Sequence, residues 1–157
     1  MIHSNPNIQT ESTQKPKRTH SNPEHKLQAE CVKQFGQKYP EKRGALIAYF
    51  AETESGRDGA LKVALGLVAD ISDLLYFPNR EMWGIELKFP GTRHNTQHLR
   101  DQASWLLSFP KIGFFCDSVE MFWQIIETGK GGISPVRILE NLKDVKTSSV
   151  SWEVAKK

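Results

Sequence analysis

Residues 72–89 constrain the fold more than any other stretch of the chain. Two short runs, Leu74-Leu75-Tyr76-Phe77 and Met82-Trp83-Gly84-Ile85-Glu86-Leu87-Lys88-Phe89, flank Pro78-Asn79-Arg80-Glu81. Apolar runs on either side of a Pro-Asn turn signal predict a β-hairpin. Strand alternation then puts Trp83, Ile85, Leu87 and Phe89 on one face of the second strand and Gly84, Glu86 and Lys88 on the other. Glu86 and Lys88 become neighbours, and Asp73 leads into the preceding strand. Two carboxylates from adjacent strands are hard oxygen ligands of the kind a divalent cation needs. A nearby ammonium can steady an attacking water or the charge that builds on a phosphate. Glu-x-Lys on a strand is most often just a solvated face, so the hairpin alone leaves both readings open.

The chain of 157 residues is long enough for one domain with a real core, and 38% hydrophobic content with 10% aromatics is globular. A mean hydropathy of −0.49 and a polar N-terminus point to one domain plus tails. Lys62, Asp70 and Asp73 interrupt the most apolar window, residues 60–77, below membrane-spanning length. The N-terminus has no apolar signal core, which gives the expectation of a cytoplasmic or nucleoid-associated protein that is not secreted. Cys31 and Cys116, each inside an apolar segment, read as buried thiols rather than a disulfide or a zinc site. The net charge is +3. Both ends are positive, through Lys15, Lys17 and Arg18 at one and Lys143, Lys146, Lys156 and Lys157 at the other, so the body is close to neutral. Basic ends on a near-neutral body fit a nucleic-acid enzyme with an acidic metal site, and equally a protein with ordinary soluble tails.

Residues 1–21 have no periodicity and read as a disordered basic arm. Asn22-Pro23-Glu24 starts a helix to about Gln37: Asn22 caps, Pro23 fits the first turn, and Glu24 favours the positive end of the dipole. Leu27, Cys31 and Phe35, with Val32 alongside, form its buried stripe, and Tyr39-Pro40 ends it. Residues 45–50 predict a short buried strand, 52–59 a loop, and 60–66 a turn or two of helix. A second helix follows from Asn95 or Thr96 to about Phe109, with Leu99, Ala103, Leu106 and Leu107 on its apolar face. Residues 112–116 predict a buried strand. Asp117-Ser118 then caps a helix with Val119, Phe122, Ile125 and Ile126 inward and Gly129 as its stop. After the loop 131–135, residues 136–157 are weakly patterned, with short pairing through 136–139 and a mobile lysine-rich end. The order α-β-β-β-α-β-α predicts an α/β domain with one small sheet flanked by helices.

Several of these residues together resemble the VRR-NUC branch of the PD-(D/E)xK nuclease superfamily. The resemblance runs over roughly residues 24–127. It is carried by Glu24-x-x-x-Gln28, Tyr39-Pro40, Ser72-Asp73-Leu74, Glu86-Leu87-Lys88, Gln102-x-x-Trp105 and Gly113, in that order. It implies a restriction-endonuclease-like core, with residues 22–130 as the nuclease-like domain and 131–157 as a partly flexible C-terminal extension. In that core Asp73 and Glu86 hold the cation, Mg²⁺ or Mn²⁺, Lys88 serves the water or the scissile phosphate, and Gln102 supports the site. Glu24 adds a further metal or water contact. Family members often carry a glycine three residues before the strand aspartate and a proline directly before it, where this chain has Asp70 and Ser72. Asp73 leads directly into the strand and is the preferred ligand, with Asp70 the alternative.

Other candidates have plain readings beside functional ones. His94 and His98 are four apart, a spacing compatible with a metal pair, but no third ligand is evident. Arg93, His94, His98 and Arg100 form a phosphate-facing patch or a charged helix end without function. With Lys15, Lys17 and Arg18 they make up the expected DNA contacts. Trp83, Trp105 and Trp123 read as core residues, and the absence of a glycine-rich phosphate loop argues against nucleotide use. Two functions remain open: a Mg²⁺- or Mn²⁺-dependent deoxyribonuclease, or a binding or assembly module that keeps the architecture without catalysis. The expected partners are DNA, branched or flapped forms included, and a second copy of the chain, since two facing sites cut two strands.

Overall fold

The computed structural model describes residues 22–49, 71–108 and 112–157. The basic arm with Lys15, Lys17 and Arg18, the loop 52–59, the helix expected over 60–66, and Asp70 lie outside the described residues. The elements run in the order α1 (Pro23–Lys38), a 3₁₀ turn (Pro40–Lys42), β1 (Leu46–Ala48), β2 (Leu74–Tyr76), β3 (Trp83–Leu87), β4 (Arg93–Asn95) and α2 (Thr96–Ser108). There follow β5 (Ile112–Cys116), α3 (Val119–Thr128), α4 (Pro135–Leu142), β6 (Ser149–Ser151) and α5 (Trp152–Ala155). The fold is mixed α/β: a four-stranded sheet in the order β1-β2-β3-β5, flanked by helices, and a two-stranded ribbon of β4 and β6. Antiparallel pairing joins β1 to β2 and β2 to β3, while β5 runs parallel to β3. A parallel pair needs a crossover connection, and here it contains α2.

The hairpin forms in the register Leu74↔Ile85, Leu75↔Gly84, Tyr76↔Trp83. Its turn is closed by the Glu81 N–H donating to the Pro78 carbonyl at 2.8 Å, with Asn79 and Arg80 both left-handed at φ 47° and 70°. This four-residue turn sits inside the longer connection 77–82 between the paired strands. Trp83, Ile85 and Leu87 pack into one core with Leu27, Cys31 and Phe35 of α1 and Phe122, Ile125 and Ile126 of α3. The second core joins Leu99, Ala103 and Leu106 of α2 to Phe115, Ile138, Leu142, Val150 and Trp152.

Local chemistry sets the helix ends as expected. The Asn22 side chain accepts from the Glu24 N–H at 3.0 Å, Ser118 accepts from the Met121 N–H at 3.1 Å, and Gly129 stops α3 at φ 66°. Four expectations are corrected. Val32 and Leu107 are exposed, because each sits one residue, about 100° of helix rotation, past the buried stripe. The first strand is not buried: β1 is an edge of the four-stranded sheet and Ile47 is 45% exposed. Residues 136–139 are helical, since Pro135 opens α4 and Ile138 and Leu142, one turn apart, are both buried. The C-terminal stretch is folded onto the body, with Val150, Trp152 and Ala155 in the second core. Strands β4 and β6 were not anticipated. Cys31 and Cys116 are buried free thiols, and burial pushes both up to about 12. Among the described residues no helix is long and apolar enough to cross a membrane.

Candidate active site

The face expected to be solvated is covered. A Cβ on Gly84 would meet Leu106 and Trp105 of α2 at 3.0 and 3.2 Å, so α2 lies directly over this side of β3. Glu86 and Lys88 are 2% and 3% exposed. Lys88 Nζ donates to Glu86 Oε1 at 2.8 Å, and Gln102 Nε2, on α2, donates to the same oxygen. Continuing the hairpin register one step places Asp73 opposite Glu86. Asp73 is anchored on both sides: its Oδ2 accepts from the Leu87 N–H at 2.7 Å, and its carbonyl accepts from Gln28 Nε2 at 3.1 Å and from the Tyr49 N–H at 2.8 Å. Glu24, in the first turn of α1, reaches the same end of the hairpin, close enough to Lys88, Asp73 and the Phe89 backbone N–H for each to act on its charge. Asp73, just before β2, Glu86 in β3, Lys88 just after it, Gln102 in α2 and Glu24 in α1 therefore come together.

The charges interact strongly. Burial pushes the Glu86 carboxyl up to about 8; the Lys88 ammonium opposes this, and Asp73 and Glu24 push further the same way. Burial also raises Asp73, against the pull of Lys88 and the Leu87 N–H, and raises Glu24, again against Lys88 and with Asp73 adding to it. Burial works against the Lys88 ammonium, yet Glu86, Glu24 and Asp73 outweigh it and leave its pKa raised. One cation faces three carboxylates, so Lys88 stays charged while the most enclosed carboxyl tends to keep a proton.

Among the described residues no three His, Cys, Asp or Glu side chains are grouped to cage a metal ion. Mg²⁺ needs no such cage, because it keeps several waters and is held through one or two carboxylates plus substrate phosphate. Asp73 and Glu86 fit that description, with Glu24 coupled to both by charge. Two buried acceptors, Glu24 Oε1 and Gln102 Oε1, have no hydrogen-bond partner among the described residues. Buried orphan oxygens beside a carboxylate cluster are the donor atoms that a hard cation or its waters would satisfy.

The expected phosphate patch is not one surface. His94 turns inward: its Nε2 lies 2.7 Å from Thr92 Oγ1 and 3.6 Å from Glu24 Oε1, and its ring meets Trp152 edge-on at 6.2 Å. Burial, then the charge of Lys88, lowers His94 to about 4, so it is neutral and gives no cationic contact to phosphate. Arg100 spends its guanidinium on the carbonyls of Leu142 and Val145, at 2.7 and 2.9 Å. Arg93 is exposed and bonds the Ser149 carbonyl and hydroxyl at 3.1 Å. His98 is exposed near the start of α2, whose cap is Asn95 Oδ1 accepting the His98 N–H at 2.9 Å. His98 is close enough for its charge to act on His94, and among the described residues the two belong to no group of three His, Cys, Asp or Glu side chains that could hold a metal.

Sequence reasoning missed the inward role of His94 and the part played by Asp117. Asp117 is 9% exposed at the end of β5 and accepts from Trp152 Nε1 at 3.0 Å and Lys156 Nζ at 2.8 Å. Trp152 and Lys156 are four residues apart, the only hint in the sequence that one helical turn presents both to the same partner. No protein-family model matches the chain, and neither does any curated protein or solved structure.

Proposed function

We propose that the chain is a metal-dependent deoxyribonuclease with a restriction-endonuclease-like core of the VRR-NUC kind. The observation that carries this reading is the convergence of Asp73, Glu86 and Lys88 at one end of the hairpin, with Glu86 held by Gln102 and Glu24 alongside. A structural pair would need one acid for one base, whereas here three buried or half-buried carboxylates surround a single ammonium, a costly arrangement without a cation. A bound Mg²⁺ or Mn²⁺ would lower the pKa of a water and neutralise charge on the phosphate. Asp73 and Glu86 would hold it. Lys88, kept protonated by its carboxylates, is suited to stabilise charge on the phosphate rather than to act as a base. Glu24 Oε1, an acceptor without a donor, is placed to take a hydrogen bond from the attacking water.

The test is cleavage of labelled linear, branched and flapped DNA with Mg²⁺, with Mn²⁺ and with chelator, comparing the parent chain with Glu86→Gln and Lys88→Met. Metal-dependent cutting lost in both variants supports the enzyme. Tight binding of DNA with no cutting under any metal replaces it with a non-catalytic binding module. We take the working unit to be a pair of chains, and sedimentation showing a fully active monomer removes that part of the reading.

A further inference from the structure

Three exposed cations that the candidate site does not use lie close to one another in the fold: Arg93 in β4, and Lys143 and Lys146 in the connection between α4 and β6. That connection is tied to the elements that roof the site. Arg100 of α2 donates to the carbonyls of Leu142 and Val145, at 2.7 and 2.9 Å. Thr96 Oγ1 donates to the Thr147 carbonyl at 2.7 Å, and the Thr96 N–H donates to the Ser148 carbonyl at 3.0 Å. Arg93 Nη2 reaches the Ser149 carbonyl and hydroxyl, each at 3.1 Å, and register pairs Asn95 with Ser149. Segment 142–149 is therefore held along its length against β4 and the first two turns of α2.

The charge of this segment is not spent on the fold. Lys88 is paired with Glu86, Lys38 with Glu127, and Lys156 with Asp117 and Glu153. Among the described residues Lys143 and Lys146 form no ion pair, and Arg93 bonds only the neutral oxygens of Ser149. One acid, Asp144, stands within the segment against the three cations, and the hydroxyl residues Thr147, Ser148 and Ser149 follow Lys146 directly. Lysine, arginine and hydroxyl side chains on a fixed backbone are the groups that hold phosphate oxygens.

Placement links the surface to the site. Strand alternation turns His94 inward, 3.6 Å from Glu24, and leaves Arg93 and Asn95 exposed on the other face of the ribbon. Thr96, where the segment is tied down, and Gln102, which holds Glu86, are six residues apart on α2, about 9 Å along its axis. A DNA strand carries one phosphate per about 3.4 Å of duplex axis, so phosphates roughly three steps from one at Glu86 and Lys88 fall within reach of these cations.

Resting on the nuclease reading and deepening it, we propose that the outer face of the β4–β6 ribbon and the adjoining loop 143–148 form a DNA-backbone contact surface. Arg93, Lys143 and Lys146 hold phosphates that flank the cut. The surface positions the duplex without choosing its sequence.

The experiment uses the full chain and a short labelled DNA duplex, with binding measured in chelator over a range of salt so that no cutting occurs. The variants are Arg93→Gln, which keeps a donor for Ser149, Lys143→Ala, Lys146→Ala and the triple combination. Lys130→Ala is the control, an exposed cation beside Gly129, which lies against Trp83 at the opposite end of β3 from Glu86 and Lys88. Each single variant should lower the slope of log affinity against log salt by about 0.9, and the triple variant by roughly three times that. Lys130→Ala should leave the slope unchanged, and thermal unfolding should show every variant folded. In cleavage with Mg²⁺ or Mn²⁺ the triple variant should raise KM with kcat nearly constant, because these contacts lie away from the reacting atoms. A parental slope in the triple variant, an equal loss of slope in Lys130→Ala, or a parent that does not bind the duplex at low salt would each overturn the proposal. If such a result comes with metal-dependent cutting by the parent, the nuclease reading stands without this surface. If the slopes fall as expected but the parent cuts no DNA with any metal, the surface stands and the nuclease reading fails.

Discussion

Lys88 Nζ sits 2.8 Å from Glu86 Oε1, and the two side chains are only 4% and 3% exposed. A buried ion pair is expensive to dehydrate and is kept only where further hydrogen bonds and charges support it. Gln102 supplies one such bond to Glu86, and Asp73 and Glu24 supply an excess of negative charge around Lys88. Lys88→Met should therefore destabilise by about 3–5 kcal/mol at pH 8, where it strands the carboxylates. At pH 5 the loss should be much smaller, since Glu86 then holds a proton and needs no counter-charge. Chemical denaturation at the two pH values measures the difference; equal losses would mean that Glu86 is ionised throughout.

The same site fixes how metal-free stability varies with pH. Glu86 is raised from 4.5 to about 8 in the folded protein, so the folded state holds a proton that the unfolded chain has already released between those values. Its stabilising contribution is complete below about pH 4.5 and disappears as pH rises through about 8, with a slope approaching about 1.4 kcal/mol per pH unit. Asp73 and Glu24 are raised and act in the same direction. His94, lowered from 6.5 to about 4, acts the other way and loses stability as pH falls below 6.5. Between pH 6.5 and 8 the carboxylates alone decide. The melting temperature in chelator should fall across that window, and Glu86→Gln should flatten the fall. A parent curve already flat there would put the Glu86 proton in doubt.

The hairpin was legible because alternation and turn chemistry agree. Antiparallel pairing then places Asp73 opposite Glu86 without help from the rest of the chain. The burial of Glu86 and Lys88 was not legible, because their cover, α2, arrives through a crossover whose packing is not written in either strand. Strand β4 was invisible for a related reason: Arg93-His94-Asn95 has no apolar alternation and is a strand only through its pairing with β6. His94 was read as part of a phosphate-facing patch or a charged helix end because its neighbours, Trp152 and Glu24, are far away in sequence.

Gly113 shows what a motif glycine can mean physically. A Cβ there would lie 2.6 Å from the Leu106 carbonyl oxygen and 2.8 Å from Leu106 Cβ, so α2 rests directly on the backbone of β5. Gly113→Ala should cost about 1–3 kcal/mol by forcing α2 outward and should also weaken activity, since Gln102 moves with the helix. Gly36, inside α1 with nothing within 4 Å of its Cβ position, is the control. Gly36→Ala should stabilise by about 0.5–1 kcal/mol through helix propensity. Thermal unfolding of both gives the comparison, and equal shifts would show that α2 does not rest on β5 this closely.

At the hairpin turn, Arg80 adopts φ 70° at a position that glycine favours. The left-handed conformation costs a non-glycine residue roughly 1–2 kcal/mol, and the entropy of a flexible unfolded glycine takes back about 0.5–1. Arg80→Gly should therefore leave a net gain of about 0.5–1 kcal/mol. A destabilised Arg80→Gly would mean that the guanidinium makes a contact that outweighs the strain.

Neutralising single carboxylates separates their roles in folding from their roles as ligands. Asp73→Asn keeps an oxygen for the Leu87 N–H, and Glu86→Gln keeps one for Lys88 and Gln102, so the hydrogen bonds survive while like-charge repulsion falls. At pH 8 in chelator each variant should be as stable as the parent or up to about 1 kcal/mol more stable. If these carboxylates hold a cation, Mn²⁺ affinity by calorimetry should drop more than about tenfold in both, because Mn²⁺ then loses a charged ligand. Cleavage should fall with it. Mn²⁺ binding by the parent should also release protons near pH 7, since Glu86 must give up the one it holds in the empty site. Asp70 is the natural comparison. Should Asp73→Asn retain both Mn²⁺ affinity and cutting while Asp70→Asn loses them, the ligand is the earlier aspartate and the charge of Asp73 is structural. Should Glu86→Gln bind Mn²⁺ like the parent, Glu86 serves only to seat Lys88 and the metal reading of the hairpin falls.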